Sequence, residues 1–259
     1  MNLQVLIATM NQQDHSLIER MNINSDVIVG NQCNRNEVEE FIFKGNKVKW
    51  LSFNERGVGL NRNNTLMRAD ADICLFADDD VVYFDDYKDK VLNAYKDYPE
   101  ADVIIFNMRV TRDGVNYFDK VTKTERIGRS KAGTFGAVSI TARTKSLKFK
   151  NIVFHRMFGG GTEYSCGEDT IFLQDCIKRG LRVYTYATTI GWVNNEISTW
   201  FKGYDDKYFY DKGVLFGYLY PKLAKFLCVY HVVKHRNLYK EYSLKKAILK
   251  MWEGTDLYL

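Results

Sequence analysis

Three consecutive aspartates, Asp78, Asp79 and Asp80, follow a largely apolar stretch from Ala71 to Ala77. In extended backbone, successive side chains point to opposite faces, so Asp78 and Asp80 share one face and Asp79 points to the other. Two carboxylates on one face could hold a hard cation such as Mg²⁺ or Mn²⁺, which takes oxygen ligands and keeps positions open for water and phosphate. The alternative for an acidic triplet is a solvated turn after a strand.

A second pair of carboxylates, Glu168 and Asp169, follows Gly167 and opens a predicted helix that Gly180 ends. A carboxylate in a first helical turn is favoured by the helix dipole and stays ionised near neutral pH, as a general base must. Taken alone, such a pair is the ordinary charge complementarity of a helix N-terminus.

The elements that must position these groups alternate between apolar runs and helical patterns. This alternation predicts an α/β fold with a mostly parallel sheet flanked by helices, and in such sheets ligands bind at the carboxyl ends of the strands. The predicted strands are 3–8, 26–30, 48–53, 71–77, 102–108, 134–141 and 181–187, and the predicted helices are 36–43, 61–69, 85–98 and 168–179.

The composition bounds the class of protein. The chain has 259 residues, 46% of them apolar, which suffices for one large α/β domain. Its N-terminus lacks the basic start and long apolar region of a signal peptide, and its five cysteines show no paired-ligand spacing. We therefore expect a cytoplasmic protein with reduced thiols. No nucleic-acid-binding motif is present, so we expect no nucleic-acid partner.

The net charge of +5 is concentrated near the C-terminus, where eight Lys and Arg residues between Pro221 and Lys250 face only Glu241. Apolar and aromatic residues interleave with these cations, as in helices that lie on an anionic lipid surface. The alternative is a solvated face on ordinary packed helices. We predict a catalytic domain over residues 1–210 and a helical, basic extension over 211–259 that attaches peripherally to the inner face of the membrane.

The order of these features resembles that of family 2 glycosyltransferases of the GT-A fold, over residues 3–200. Its most specific part is the block from Gly57 to Asp80, in which a Gly-Val-Gly turn, a helix-opening Asn-Arg-Asn and the Asp-x-Asp (DxD) motif follow in order. The resemblance implies the GT-A, Rossmann-like form of the predicted sheet.

The resemblance also implies a chemistry. The donor would be a nucleotide sugar, most often a UDP-sugar, whose diphosphate Mn²⁺ or Mg²⁺ bridges to the DxD motif. The acceptor would be a saccharide, for which the basic tail favours a lipid-linked form, and single displacement would invert the anomeric carbon. The matching positions are Asp169 as catalytic base with Glu168 in support, Asp78 and Asp80 as metal ligands, Asp79 towards the donor sugar, Thr9, Asn11 and Asn31 around the base and ribose, and Arg62 at the donor or its diphosphate.

Some positions depart from the family pattern. Ala8 stands where the family often has Pro, and Asn31 where it often has Asp, which leaves the choice of nucleotide open. The QxxRW motif is absent, which points to addition of one sugar per encounter. In place of the family's frequent His ligand, Glu196 and Asn194 are the candidates for a third metal ligand. The segment from Lys120 to Lys131 is basic. It either contacts phosphate or forms a solvated loop.

Two alternatives to a glycosyltransferase are a nucleotidyltransferase, which shares its broad chemistry, and a binding module, which belongs to another class. A nucleotidyltransferase would need a Gly-rich phosphate loop after the first strand, and residues 9–13 contain no glycine. A catalytically idle nucleotide-sugar or carbohydrate-binding module would not need Asp78, Asp80 and Asp169 together.

Overall fold

The structure, a computed structural model, describes residues 1–112, 115–116, 120–194, 203–239 and 241–258, with the backbone alone at 111, 112, 115, 116 and 194. The chain forms two compact units. The first comprises Met1–His155 and Asp169–Ile197, and the second comprises Arg156–Glu168 and Ser198–Leu259.

The first unit contains one mixed sheet with helices around it. Its strands are β1 (Leu3–Met10), β2 (Asp26–Gln32), β3 (Glu37–Phe43), β4 (Asn46–Phe53), β5 (Ile73–Asp78), β6 (Val81–Tyr83), β7 (Val103–Arg112), β8 (Val115–Asn116), β9 (Glu125–Arg126), β10 (Ile140–Arg143) and β11 (Val183–Asn194). Its helices are α1 (Leu17–Arg20), α2 (Val58–Arg68), α3 (Tyr87–Asp97), α4 (Thr144–Phe149) and, apart from its first residue, α5 (Glu168–Lys178).

The sheet has the strand order β3-β4-β2-β1-β5-β10-β7-β11-β6, with β8 beside β7 and β9 beside β11. Strands β1, β2, β4 and β5 run parallel to one another, as do β7 and β11. The remaining strands are antiparallel to their neighbours. The α/β sheet predicted from the sequence is confirmed, with an antiparallel share that the apolar runs did not indicate.

Both faces of the sheet carry a hydrophobic core. On β1, Val5 and Ile7 pack in one cluster with Trp50, whereas Leu6 packs in the other with Phe76. Successive side chains of a strand point to opposite faces, so a strand covered on both sides needs an unbroken apolar run. This is why the runs in β1 and β5 could be read from the sequence.

The helix predicted over residues 36–43 is wrong, because this segment is strand β3 in an antiparallel hairpin with β4. Lys44 and Gly45 form the two-residue turn, and both have positive φ, at 47° and 82°. Such a turn matches the twist of the flanking strands. Gly45, interpreted from the sequence as the end of a helix, is instead a turn residue.

The strand predicted over residues 134–141 is also wrong in its extent. Residues Ala132–Thr134 and Ala137–Ser139 form two 3-10 turns, and the strand β10 begins only at Ile140. Within the second turn, the Ser139 hydroxyl donates to the carbonyl of Gly136, at 2.8 Å. A side chain that bonds the local backbone in this way favours a turn over a strand. The last predicted strand, in contrast, is longer than expected and reaches Asn194.

The second unit is helical. It contains α6 (Asp206–Leu219), α7 (Ala224–Lys234) and α8 (Leu244–Thr255). Helices α6 and α8 approach closely at Gly213, where a Cβ would overlap the backbone of Met251. The predicted domain boundary after residue 210 falls inside α6, and the division into domains at that residue stays a prediction. Among the described residues, no helix has the length and apolar character needed to cross a membrane.

Candidate active site

Several of the residues predicted to form the site lie at one edge of the sheet, where the parallel strands β1, β2 and β5 end. Thr9 of β1 is in register with Asn31 of β2, and Ala8 is in register with Asp78 of β5. The carboxyl ends of neighbouring parallel strands are the usual ligand edge of an α/β sheet. The fold therefore brings Thr9, Asn31 and Asp78 side by side.

Arg62 joins the two groups of carboxylates. Its Nη2 lies 2.6 Å from Oδ1 of Asp78, and its Nη1 lies 3.3 Å from Oδ1 of Asp169. The arginine side chain is only 3% exposed. A buried guanidinium of this kind keeps its charge and its planar geometry, so it fixes the two carboxylates relative to each other.

Arg62 is placed by the close packing of helix α2. A Cβ at Gly30 would lie 2.6 Å from Oδ1 of Asn61, so any larger residue there would force the buried Asn61 side chain to move. At the start of the helix, a Cβ at Gly59 would overlap the carbonyl oxygen of His155. Gly57, with φ of 114°, turns the chain into the helix, and its N–H donates to Oε1 of Gln32 at 2.8 Å. Gly57 therefore allows the turn into the helix, and Gly59 allows the helix to approach the backbone of His155 closely.

Asn63 anchors the same helix to the segment that follows α4. Its Nδ2 donates to the carbonyl of Phe154 at 2.8 Å, and its Oδ1 accepts from the backbone N–H of Phe154 at 2.7 Å. The Phe154 ring lies 5.3 Å from the guanidinium carbon of Arg62 and stacks on Phe172 of α5, with centroids 4.2 Å apart. The stacked rings of Phe154 and Phe172 thus connect helix α2, which carries Arg62, to helix α5, which carries Asp169.

Asp79 faces the β1 end of the site. Its Oδ2 accepts a hydrogen bond of 2.5 Å from the hydroxyl of Thr9, which in turn accepts from Nε2 of Gln12 at 2.8 Å. Asn31 is fully buried, and its amide bonds the backbone N–H and C=O of Gln12, at 3.0 and 3.1 Å. Asn11 is exposed and has φ of 56°, a left-handed conformation that Asn tolerates better than most residues. Thr9 and Asn31 thus shape the loop after β1, and their contact with a base or ribose stays a prediction.

Asp80 lies beside a cavity of about 210 Å³. Burial raises the pKa of Asp80 to about 6, and the neighbouring charges of Asp78 and Asp79 add to the shift. The polar side chains that line this cavity belong to Asp78, Asp80, Asn107, Lys120 and Ser139, and Gly136 also borders it.

Asp78 and Asp80 fit a divalent cation. Oδ1 of Asp80 is buried and has no hydrogen-bond partner, so a positive charge in the cavity would satisfy it. Both carboxylates line the same cavity, and hard cations prefer such oxygen donors. Within the described ranges, no group of three or more His, Cys, Asp or Glu residues forms a metal centre. Of the candidates for a third ligand, Glu196 and the side chain of Asn194 lie outside the described part of the chain.

Asp169 sits in the first turn of α5, next to the Gly136 wall of the cavity. A Cβ at Gly136 would lie 3.6 Å from Oδ2 of Asp169. The Asp169 side chain is 26% exposed, so it is accessible to a substrate hydroxyl while one oxygen is held by Arg62. Glu168, the first residue of α5, is buried at 9% exposure.

Sequence reasoning missed several residues that build the site. Gln12 connects Thr9 to Asn31, and Gln32 holds Gly57. Gln12 and Gln32 lie four and two residues beyond predicted strand ends, and this position is the signal that could have found them. Lys120 was noted only as part of a basic segment, and it lines the same cavity as Asp80.

The ligand edge, the buried arginine and the paired carboxylates define a Rossmann-like α/β protein with a polar site beyond its parallel strands. Residues 11–160 match the sequence model of the family described as glycosyl transferase family 2. This match covers more than half of the chain, which therefore belongs to glycosyl transferase family 2. No curated protein sequence matches the chain.

Solved structures of Staphylococcus aureus TarS share the fold. The crystal structure of TarS residues 1–349 aligns with a TM-score of 0.63 at 15% identity and covers 100% of this chain and 83% of that one. Its complex with UDP aligns with a TM-score of 0.62 at 16% identity, with the same coverage. The complex with UDP-GlcNAc aligns with a TM-score of 0.60 at 17% identity and covers 83% of this chain and 66% of that one, just under two thirds. These neighbours establish the GT-A fold predicted from the sequence.

Proposed function

We propose that this chain is an inverting glycosyltransferase that moves one sugar from a nucleotide-sugar donor, a UDP-sugar, to a saccharide acceptor. The observation that carries the proposal is the link through Arg62, which sets the metal-side carboxylate Asp78 and the predicted base Asp169 at the two ends of one guanidinium. Membership of glycosyl transferase family 2 and the fold shared with a UDP-bound and a UDP-GlcNAc-bound TarS structure support it.

The donor side of the mechanism uses Asp78, Asp80 and Arg62. Asp78 and Asp80 would hold Mn²⁺ or Mg²⁺, which, when bound, neutralises charge on the diphosphate. The guanidinium of Arg62 offers further N–H donors to phosphate oxygens as negative charge develops on the leaving group. Thr9, Asn11 and Asn31 would form the base and ribose side, and Asp79 would face the donor sugar.

The acceptor side uses Asp169. A sugar hydroxyl must lose its proton while its oxygen attacks the anomeric carbon from the face opposite the leaving nucleotide. Asp169 can accept that proton, because the positive end of α5 and the Arg62 guanidinium both favour its ionised form. Glu168 would support the acceptor or the base. A direct displacement by this hydroxyl inverts the anomeric configuration.

The acceptor and location are also part of the proposal. A lipid-linked saccharide would bring the acceptor to a membrane surface, and the basic region over residues 211–259 suits peripheral attachment to an anionic surface on the cytoplasmic side. The absence of the QxxRW motif supports addition of a single sugar per encounter, as in the synthesis of surface polysaccharides or glycans.

The test titrates a series of nucleotide sugars calorimetrically into the protein with Mn²⁺ and then analyses the products formed with a panel of saccharide acceptors. We expect tight binding of a UDP-sugar and release of UDP together with a glycosylated acceptor. Release of pyrophosphate from a nucleoside triphosphate would instead make the protein a nucleotidyltransferase. Binding of a nucleotide sugar without transfer to any acceptor in the panel would make it an idle binding module.

A further inference from the structure

Helix α7 carries an apolar surface that the packing of the second unit leaves open. Together with the 3-10 turn Arg236–Leu238, it borders an open groove of about 530 Å³. The groove is lined mainly by Phe226, Val229, Tyr230 and Val233, with Lys234 and Arg236.

The groove residues lie on the face of α7 opposite the one that packs in the unit. Cys228 and Val232 are buried in a cluster with residues of α6 and α8. Phe226, Tyr230 and Val233, at helical spacing on the other face, are 69%, 54% and 49% exposed. A helix that is apolar on both faces needs a partner for each, and large exposed apolar patches mark interaction sites.

The cations around α7 are of two kinds, those that pair with a carboxylate and those that do not. Lys225 pairs with Asp256 at 2.9 Å, whereas Lys246 of α8 pairs with Asp206 at 2.6 Å. At the groove, no carboxylate among the described residues pairs with Lys234 or Arg236. The Nζ of Lys234 lies 5.5 Å from the centre of the Tyr230 ring. Lys234 and Arg236 therefore bring uncompensated positive charge to the apolar groove.

We propose that this groove docks on an anionic phospholipid bilayer, with Phe226, Tyr230 and Val233 entering the acyl boundary and Lys234 and Arg236 meeting lipid phosphates. The proposal deepens, and rests on, the membrane attachment put forward under the proposed function, and it assigns that attachment to one helix face. Long cationic side chains can keep their charge at the phosphate level while aromatic side chains sit below it.

Charge favours a bilayer over a second copy of this chain as the occupant. A two-fold contact through the groove would set the same patch on both copies, so Lys234 and Arg236 would face their own equivalents. An anionic surface, in contrast, attracts each cation with an energy equivalent to a gain of about five-fold in affinity.

The test measures binding of the full chain to vesicles by co-sedimentation, without donor or acceptor. The vesicles contain equal parts of phosphatidylcholine and phosphatidylglycerol, and pure phosphatidylcholine vesicles serve for comparison. We expect Lys234→Gln with Arg236→Gln to weaken binding to the anionic vesicles by about 25-fold. Phe226→Ser with Tyr230→Ser should lower binding to both kinds of vesicle by at least about 10-fold.

Matched controls lie on the first unit, on surfaces of similar exposure. Ile42→Ser with Phe149→Ser removes two side chains that are 65% and 83% exposed, and Lys47→Gln with Lys145→Gln removes two exposed cations. Both control pairs should leave vesicle binding within about two-fold of wild type, since exposed charges outside the groove are largely screened by salt. A non-specific charge effect would instead weaken binding of the Lys47/Lys145 pair as much as that of the Lys234/Arg236 pair. Thermal unfolding should show that all four double variants remain folded.

Two results would overturn the proposal. One is vesicle binding that the groove variants change no more than the controls do. The other is unchanged vesicle binding together with a loss of self-association of the groove variants in sedimentation velocity, which would assign the groove to a second copy. Calorimetric binding of a nucleotide sugar in the absence of vesicles tests the proposed function separately, because the groove variants should leave it unchanged.

Discussion

The substitution Arg62→Met perturbs the site at a side chain that holds carboxylates from two distant parts of the chain. Arg62 is 3% exposed and lies 2.6 Å from Asp78 and 3.3 Å from Asp169. Methionine keeps an unbranched apolar chain that can pack on the ring of Phe154 and removes the charge and the hydrogen-bond donors. The expected result is a loss of both stability and transfer.

The magnitude follows from the solvation of the two carboxylates that remain. Removing one partner of a fully buried ion pair costs about 3–5 kcal/mol. Here the side chains of Asp78 and Asp169 are 38% and 26% exposed, so water can solvate both when Arg62 is gone. The substitution also removes the cost of burying a guanidinium. We therefore expect the free energy of unfolding to fall by about 2 kcal/mol at pH 7 and the rate of sugar transfer to fall by about 100-fold.

Urea unfolding at pH 7 measures the stability change, with Arg68→Met as the matched control. Arg68 lies on the same helix, contacts the ring of Phe53 and donates to the backbone carbonyl of Asn64. Among the residues that the structure describes, no carboxylate forms an ion pair with it. Its replacement should change the free energy of unfolding by no more than about 0.5 kcal/mol. Equal losses for the two variants, or wild-type stability of Arg62→Met, would refute the reasoning that the guanidinium holds the site together.

Three further predictions concern the groups around this link. Asp80→Asn should raise the free energy of unfolding of the metal-free protein by about 1–2 kcal/mol at pH 7, because burial raises the pKa of Asp80 to about 6 and its charge is costly when the protein is folded. The gain should shrink as the pH falls below about 6 and vanish below the unfolded pKa near 3.8, and urea unfolding over that range checks it. Gly59→Ala should lower the free energy of unfolding by about 2–3 kcal/mol, because its Cβ would overlap a backbone carbonyl, whereas Gly133→Ala, with 3.5 Å to its nearest neighbour, should cost much less in the same assay. Asn63→Leu should cost about 2 kcal/mol by losing two hydrogen bonds to backbone, and an equal cost for Asn64→Leu, whose side chain bonds only the side chains of Glu55 and Arg68, would contradict this.

Much of the fold could be predicted from the sequence because its central strands are covered on both faces. An unbroken apolar run such as that of β1 has one simple explanation in an α/β chain. The edge strand β3 was mistaken for a helix, because its side chains are half-exposed and Gly45 fits both a helix end and a type I′ turn. The local sequence does not distinguish a helix from a strand here, because the strand is stabilised by its pairing with β4.

In the site, too, the local sequence predicts some contacts, whereas other contacts join residues that are far apart in the chain. Alternation along a strand predicts that Asp79 faces away from Asp78, and the structure has Asp79 bonded to Thr9 while Asp78 meets Arg62. The contact between Arg62 and Asp169 spans 107 positions of sequence. It depends on how Asn63 fixes helix α2 to the backbone of Phe154, which no local pattern reveals.

The most direct test of the account compares Asp169→Asn with Asp80→Ala in two assays, calorimetric binding of a UDP-sugar with Mn²⁺ and transfer to a saccharide acceptor. Asp169→Asn should bind the donor with near wild-type affinity and lose transfer by at least about 100-fold, since the amide keeps the size of the side chain and an oxygen that can accept from Arg62 but cannot take up the proton. Asp80→Ala should lose the Mn²⁺-dependent part of donor binding. Full transfer activity in both variants would contradict the assignment of the base to Asp169 and of the cation to Asp80.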